Sequence, residues 1–570
     1  MIESSKRAGL AALVLLSGAA VTSLGCDSCR KKPVDKVTKE PAAPKPTIAE
    51  APMPPDTLVD VAIRDPEATS KKLVDGAGLG KELGPSPYEK LLEAITDENA
   101  KKGVRAVDPH GTIAMVVLGK AELGVKPHGV AALRLKDPDL AGSVLTTVSK
   151  SDSAKAQKSD KLGVDVHDVG GGVLLAVYGD VVLASDDKAS LESAGKYVAW
   201  RATSAKVDHD ISIKLPFDLH GPALKKLGAE GWAKVKPAEV GGPKVKAELD
   251  PVVAAVLDGV DSTGTFVIDL DVKGDQLVVD EKLAAKSGGA LAGWLAKYPT
   301  GDAAPMLSMP RADGVAYYRL PPGLGPLLYT LAEYGLDGAA GLSAAEKTDT
   351  GKAVRALGGV VGSGVALSTK NGTTPGSIKG NEYLLRLDLD DAAVAKAAIG
   401  NLRKVLEKLV PSKPTATPYK KFGAEGETFS MSGTSPGLSM FGGAGSGATT
   451  DSVFYAQKDK SLFLGLCFDC KPTLPDVALD PASKALVSED ADAKKKLAEF
   501  PAKGLAGASY GSVSLLPFLG SGGSTKPSVP GWGFTTVGAD GLVAKGAMPL
   551  ASIGDGVRGY LSMIMPPPVY

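Results

Sequence analysis

The strongest constraint on this chain is that it repeats itself in order. DTLVDVAIRDP from Asp56 matches DGVAYYRLPP from Asp313, and Val104-Arg105-Ala106-Val107 ahead of TIAMVVL matches Val354-Arg355-Ala356-Leu357 ahead of GVALS. Leu133-Arg134-Leu135 before Asp137-Pro138 matches Leu385-Arg386-Leu387 before Asp390-Asp391. VLLAVYGDVVLAS from Val173 matches VFYAQKDKSLFLG from Val453, and Leu215-Pro216-Phe217 matches Leu516-Pro517-Phe518. Finally, FVIDLDVKGDQLVVDEKLA from Phe266 matches FTTVGADGLVAKGAMPLA from Phe534, and the two segments lead to Trp294-Leu295 and Tyr560-Leu561. Short apolar strings recur by chance; a collinear series of them points to a duplicated segment. The offset is 250 residues at Val104 and Val354, 280 at Val173 and Val453, and 268 at Phe266 and Phe534, so length changes fall between the matched strings, where folded repeats tolerate them.

Each copy mixes two periodicities. Ser86-Pro87-Tyr88-Glu89 supplies an N-cap serine, a first-turn proline and a carboxylate three residues after the cap, ahead of LLEAI, which predicts a helix start. VLLAVYGDVVLAS and FVIDLDVKGDQLVVDEKLA are β-rich runs around Gly179-Asp180 and Gly274-Asp275, which predicts antiparallel hairpins. The expected fold class is α+β, in two tandem homologous domains with antiparallel sheets and flanking helices, at 56–300 and 303–563. A Gly/Ser-rich insertion at 430–450 belongs to the second copy, and the helix-like stretch from Leu219 to Asp261 to the first.

The amino terminus reads as an export signal. Lys6 and Arg7 precede an apolar run from Ala8 to Leu24 that ends in Ser23-Leu24-Gly25-Cys26, and Arg30, Lys31 and Lys32 follow at once. Residues 1–25 are expected to be removed. Cys26 is then the candidate lipidation site, because the segment resembles the lipobox of bacterial lipoproteins, with Ser23 standing where that motif favours leucine. Residues 26–55 form a lipidated Pro-rich linker, extended at about 3.1 Å per residue. The chain carries 65 basic and 65 acidic residues, and this balance removes the positive field that nucleic-acid binding needs.

The order of a strand, an Asp-Pro helix start, a short hairpin ending in VVLAS and a long hairpin before a restart resembles the duplicated envelope proteins of a bacterial domain-of-unknown-function family, found as lipoproteins in GC-rich bacteria. The resemblance spans Asp56 to about Leu561. It implies a lipid-anchored envelope location and no particular activity.

Candidate chemistry is sparse. The histidines at 110, 128, 167, 209 and 220 lack the i, i+3 or i, i+4 pairing of a helical metal site, so no metal is expected. Gly80-Lys81 lacks the flanking residues of a phosphate loop, with Asp75 at its first position and Glu82 at its last, so no cofactor is expected either. Gly507-Ala508-Ser509-Tyr510-Gly511 matches the nucleophile elbow in letters, but the strand-like SVSLLPF that follows is the wrong context for it. Cys467-Phe468-Asp469-Cys470 runs into Lys471-Pro472, which discourages the helix that a redox-active pair needs, so a structural disulfide is expected. The resulting expectation is a non-enzymatic envelope lipoprotein. It would be anchored in a membrane by its lipid, with its body periplasmic or surface-exposed, and would bind an envelope protein or lipid. The alternative is a hydrolase or thiol oxidoreductase built on Ser509 or on Cys467 and Cys470.

Overall fold

Local chemistry sets the first elements of the fold. In the computed structural model, which describes residues 48–80, 105–120, 126–136, 156–168, 172–240, 242–321, 342–372, 379–409, 415–432, 450–511 and 530–554, β1 (Thr57–Ile63) is followed at Asp65 by a left-handed residue with φ +44°. The Asp65 carboxylate accepts from the Ala68 N–H at 3.0 Å, and Pro66 opens α1 (Pro66–Gly76), so the Asp-Pro pair acts as cap and first turn together. The strands β2 (Ile113–Leu118), β3 (His128–Arg134), β4 (Ala156–Ser159) and β5 (Val164–Asp168) come next. The hairpin expected at Gly179-Asp180 joins β6 (Leu174–Tyr178) to β7 (Val181–Ser185), with Gly179 at φ +64°. Asp187 caps α2 (Lys188–Thr203) by accepting from the Ser190 N–H at 2.7 Å. β8 (Ile211–Pro216) runs directly into α3 (Phe217–Lys234), α4 (Pro243–Asp261) follows, and β9 (Thr263–Lys273) and β10 (Gln276–Ala285) flank the turn at Gly274.

Two compact units emerge: Met1–Leu227 with Thr263–Leu283, and Gly228–Ser262 with Ala284–Tyr570. The division differs from a boundary near residue 300. Within the second unit the Ser262 Oγ, at the end of α4, accepts from the Leu291 N–H at 2.8 Å, tying that helix to α5 (Ala290–Leu295).

In the first unit the strands neighbour one another in the order β4, β5, β6, β7, β3, β2, β1, β8, β9, β10. α2 lies against β3, β7 and β2, where Leu191, Ala194, Val198 and Ala202 bury against Val116, Val130 and Leu183. Gly195 permits the close approach, since a Cβ there would stand 2.9 Å from the Leu162 side chain and 3.0 Å from that of Leu183. Each fully buried leucine contributes roughly 1.5–3 kcal/mol relative to exposure, so Leu118, Leu183 and Leu191 mark where this unit is anchored.

The second unit continues with α6 (Ala304–Leu307), β11 (Gly314–Arg319), α7 (Ala344–Val360), β12 (Val361–Lys370) and β13 (Glu382–Leu389). Then come α8 (Ala392–Leu409), β14 (Thr415–Lys421), β15 (Ala424–Ser432), β16 (Thr450–Lys458) and β17 (Ser461–Cys467). The last elements are α9 (Leu474–Leu479), α10 (Ala491–Leu497), β18 (Leu505–Gly511), β19 (Trp532–Gly538) and β20 (Gly541–Pro549). Its strands neighbour one another as β14, β15, β16, β17, β13, β12, β11, β18, β19, β20. Strand for strand, this is the order of the first unit. Both sheets are antiparallel at their described pairings, and the chain is α+β.

The registers refine the string matches. The Leu135 N–H donates to the Asp180 carbonyl and the Leu389 N–H to the Lys460 carbonyl, each in the turn of its own hairpin. Leu135 therefore stands with Leu389, two residues past the Leu387 that the LRL match selects, and a slip of two keeps every side chain on its face. Carried across the sheets, the same register sets Ala62 with Tyr317; Ser212 lies opposite the first and Ala508 opposite the second, so Ala508 stands with Ser212, five residues before the place the LPF match gives. Residues 516–518, the helix start at Ser86, the Asp137-Pro138 signal, Tyr560-Leu561 and most of the Gly/Ser-rich insertion lie outside the described residues.

Candidate functional site

The expected sites meet different fates. Cys26, with all of 1–25 and most of the linker, lies outside the described residues. Cys467 and Cys470 form a disulfide with Cα atoms 5.4 Å apart, within the span such a bond requires. The chain bends between them at Asp469, which adopts φ +52° and whose N–H is held by the Asp451 carboxylate at 3.0 Å. The buried carboxylate of Glu382 accepts from the Thr473 hydroxyl at 2.7 Å and from the Leu474 N–H at 2.6 Å, so the same turn is pinned where it enters α9. These contacts make a structural turn, and no helix begins inside the pair.

Ser509 lies in the interior of β18, opposite Ala316 on β11 and Gly533 on β19. An elbow needs a strand-to-helix turn at the serine. The strand pairing on both sides removes that geometry, which takes away the ground for the hydrolase reading. Four of the five histidines are partnered. His110 meets Asp65 at 2.9 Å, His128 meets Asp186 at 3.2 Å, His209 meets Asp271 at 3.0 Å, and His220 meets the Thr57 carbonyl at 2.7 Å. Among the described residues no group of three or more His, Cys, Asp or Glu side chains is placed to hold a metal ion.

A different feature has the dimensions of a ligand site. In the second unit, α8 stands off the β14–β16 face and leaves an open groove of about 820 Å³, within the range of small-molecule and peptide sites. Lys396, Ile399, Gly400 and Arg403 occupy positions i, i+3, i+4 and i+7 of α8 and so share one face. The opposite wall is β15, where Glu425 and Glu427 project to one side by alternation. Two ion pairs span the gap, Lys396–Glu425 and Arg403–Glu427, both at 2.9 Å. Tyr455 stands directly across from Glu427 and donates its hydroxyl to that carboxylate at 3.3 Å. Burial, and then the charge of Glu427, push the Tyr455 phenol above its ordinary value, so it stays protonated and remains a donor. Lys396 holds Glu425 below the usual carboxylate range. Ile399, Pro418 and the Tyr455 ring provide the apolar part of the lining, giving a groove with charged rims and an apolar floor. Sequence spacing exposes the α8 stripe, but pairing it with β15 requires the fold.

No family model and no curated protein sequence matches the chain. Among solved structures, crystal form IV of TP0453 is similar at 9% identity and a TM-score of 0.22, over 42% of this chain and 78% of that one. Crystal form III of TP0453 is similar at 8% identity and a TM-score of 0.23, over 42% of this chain and 82% of that one. Likenesses this slight carry no argument about fold or activity. Among the described residues no helix is long and apolar enough to cross a membrane.

Proposed function

We propose that this chain is a lipid-anchored bacterial envelope protein, made of two tandem copies of one α+β unit, that works by binding and not by turnover. The common strand order of the two sheets supports the duplication, together with the equivalent turns at Gly179-Asp180 and Asp459-Lys460. Residues 1–55 support the location: an export signal, a cysteine at its end and a Pro-rich spacer. The groove beneath α8 is the observation that carries the binding role. Two ion pairs lie beside an open, ligand-sized space also lined by Ile399, Pro418 and Tyr455, an arrangement suited to a partner carrying both apolar and charged groups.

One experiment tests both halves. The full chain, with a photo-crosslinking residue in place of Lys420 on the groove or of the exposed Lys503 away from it, is recovered from the membrane fraction and weighed intact. The expected result is a mature chain beginning at an acylated Cys26, with a discrete adduct from position 420 and none from 503. A Cys26→Ala chain that stays membrane-bound with its amino terminus uncleaved would overturn the anchor. Equal adducts at both positions, or none at either, would overturn the groove.

A further inference from the structure

The core-facing side of the sheet differs between the units at one place. In the first unit the pairing sets Ala62, Ala114, Ala132 and Leu183 in a row across β1, β2, β3 and β7, and none of them is more than 1% exposed. The corresponding row of the second unit is Tyr317, Ala366, Arg386 and Phe463, and Tyr317 likewise sits on the central first strand and faces the core. Two residues beyond Tyr317, where Arg64 follows Ala62, stands Arg319, with Gly364 opposite it on β12. Arg386 thus stands where the sister unit has Ala132, and Arg319 stands where the sister unit has Arg64, which pairs with Asp210 at 2.8 Å.

The two arginines are not equivalent. Arg386 has a partner for each Nη group, with Nη2 3.1 Å from Asp388 Oδ1 and Nη1 donating to the Ser308 hydroxyl at 2.6 Å, while its Nε is buried without a hydrogen bond. Arg319 has no carboxylate at ion-pair distance among the described residues. Its guanidinium lies over the Tyr317 ring, with Cζ 5.2 Å from the ring centroid, and its Nε is buried without a hydrogen bond. The residue as a whole is partly exposed. Glycine makes the arrangement possible on both sides. A Cβ on Gly301 would collide with the Arg319 guanidinium, and one on Gly364 would collide with Asp388 and come within 2.7 Å of the Tyr317 hydroxyl. Tyr317 is 4% exposed, and its hydroxyl has no hydrogen-bond partner among the described residues.

A guanidinium seated over an aromatic ring, with a buried Nε and no carboxylate at ion-pair distance among the described residues, is suited to a planar or tetrahedral oxyanion. We propose that Arg319, with the Tyr317 hydroxyl beside it and Arg386 on the adjoining strand, anchors a second site in this unit, which takes one carboxylate or phosphate group of a ligand. Asp302 and Asp388 share the neighbourhood and together offset the two guanidinium charges, so the site disfavours a polyanion. The site is separate from the groove under α8 and does not depend on it.

The test is thermal unfolding of the full chain in detergent, titrated with sodium acetate or sodium phosphate at constant ionic strength set with chloride. Wild type is expected to show a saturable rise in the melting temperature of the second unit with at least one of the two anions. Response to phosphate alone assigns a phosphate ligand, and response to acetate assigns a carboxylate. Arg319→Gln should weaken the response at least roughly tenfold, as expected for losing a charge-assisted bidentate contact, and Arg319→Lys should keep part of it. Lys495→Gln, at an exposed lysine of α10, should respond like wild type. Circular dichroism in chloride confirms that each variant folds. An Arg319→Gln protein that responds like wild type, or a wild type whose response to both anions never saturates, overturns the site.

Discussion

The buried ion pair of the first unit yields the sharpest prediction. The Asp60 side chain is 1% exposed and that of Arg201 is 7% exposed, and Arg201 Nη2 lies 3.3 Å from Asp60 Oδ2. The Tyr197 hydroxyl donates to the same oxygen at 2.8 Å, while Asp60 Oδ1, Arg201 Nε and Arg201 Nη2 are buried with no hydrogen bond among the described residues. Burial, and then the Asp60 charge, hold the Tyr197 phenol above its ordinary value, so it remains a donor. Such a pair offsets its own desolvation incompletely. Asp60→Asn removes one charge and leaves the Arg201 guanidinium in the core, at a cost of about 3–5 kcal/mol. Replacing all three groups at once, in Asp60→Leu with Tyr197→Phe and Arg201→Met, removes every buried polar atom of the set and should recover most of that loss. A chain of two units does not unfold in one step, so the readout is native-state hydrogen exchange of peptides covering β1 and β8. At about 1.4 kcal/mol per tenfold, the single variant should speed global exchange there by roughly two to three and a half orders of magnitude. An Asp60→Asn protein within about 1 kcal/mol of wild type, or a triple variant no better than the single one, would refute the reasoning.

Two further outcomes follow from named contacts. Replacing Cys467 and Cys470 by serine should cost the second unit about 2 kcal/mol or less, because the closed loop is short and the turn keeps its Asp451 and Glu382 bonds; loss of its cooperative melt by near-ultraviolet circular dichroism would contradict this. Burial raises Asp210, but the Arg64 guanidinium at 2.8 Å, the Val272 N–H at 2.9 Å and Lys72 together hold it below the usual carboxylate range. A lowered native value means that the stabilisation is present above the unfolded value of about 3.9 and disappears as pH falls through the native one. Asp210→Asn should therefore melt earlier than wild type at pH 7, by the equivalent of about 1–3 kcal/mol, and the gap should close below about pH 4; a gap that is constant with pH would exclude the electrostatic account.

How much of this was legible in the sequence depends on the range of the interactions involved. The turns at Gly179-Asp180 and Gly274-Asp275 and the bend between Cys467 and Cys470 are set by residues within four positions of one another, and sequence reasoning finds such features. Strings such as LRL and LPF mislead by small slips, because apolar letters at alternate positions look alike and only pairing partners fix the register. The groove eluded the sequence for another reason. Lys396 and Arg403 form a stripe typical of any solvated helix face, and only the fold sets them against Glu425 and Glu427. Arg319 shows the same limit. At the end of a strand it reads as an edge charge, and its meaning lies in Gly301, eighteen positions earlier, and Tyr317 beneath it.

On the reading of a tandem duplication, the difference between the two core faces has a physical cause. In the first unit one long helix, α2, covers the face. It supplies Leu191, Ala194 and Val198 to the alanine row and Arg201 to the single buried carboxylate, so nothing on that face is left open. In the second unit the same connection, from the seventh to the eighth strand of the copy, is broken into the short helices α9 and α10, with Pro481 following the extended Asp480 that ends α9. Short helices cover the centre of the sheet, where Leu474, Leu479 and Leu497 bury, and no long helix supplies an Arg201 to the end of β11. Tyr317 and Arg386 occupy that face instead, and the absence of a Cβ at 301 and 364 leaves the space that Arg319 and Tyr317 fill. The sheet keeps its ten strands in either case, since its pairing is a backbone property that does not depend on what faces the cover. A duplicated sheet can thus retain one sealed copy for stability while the other exchanges part of its cover for a site.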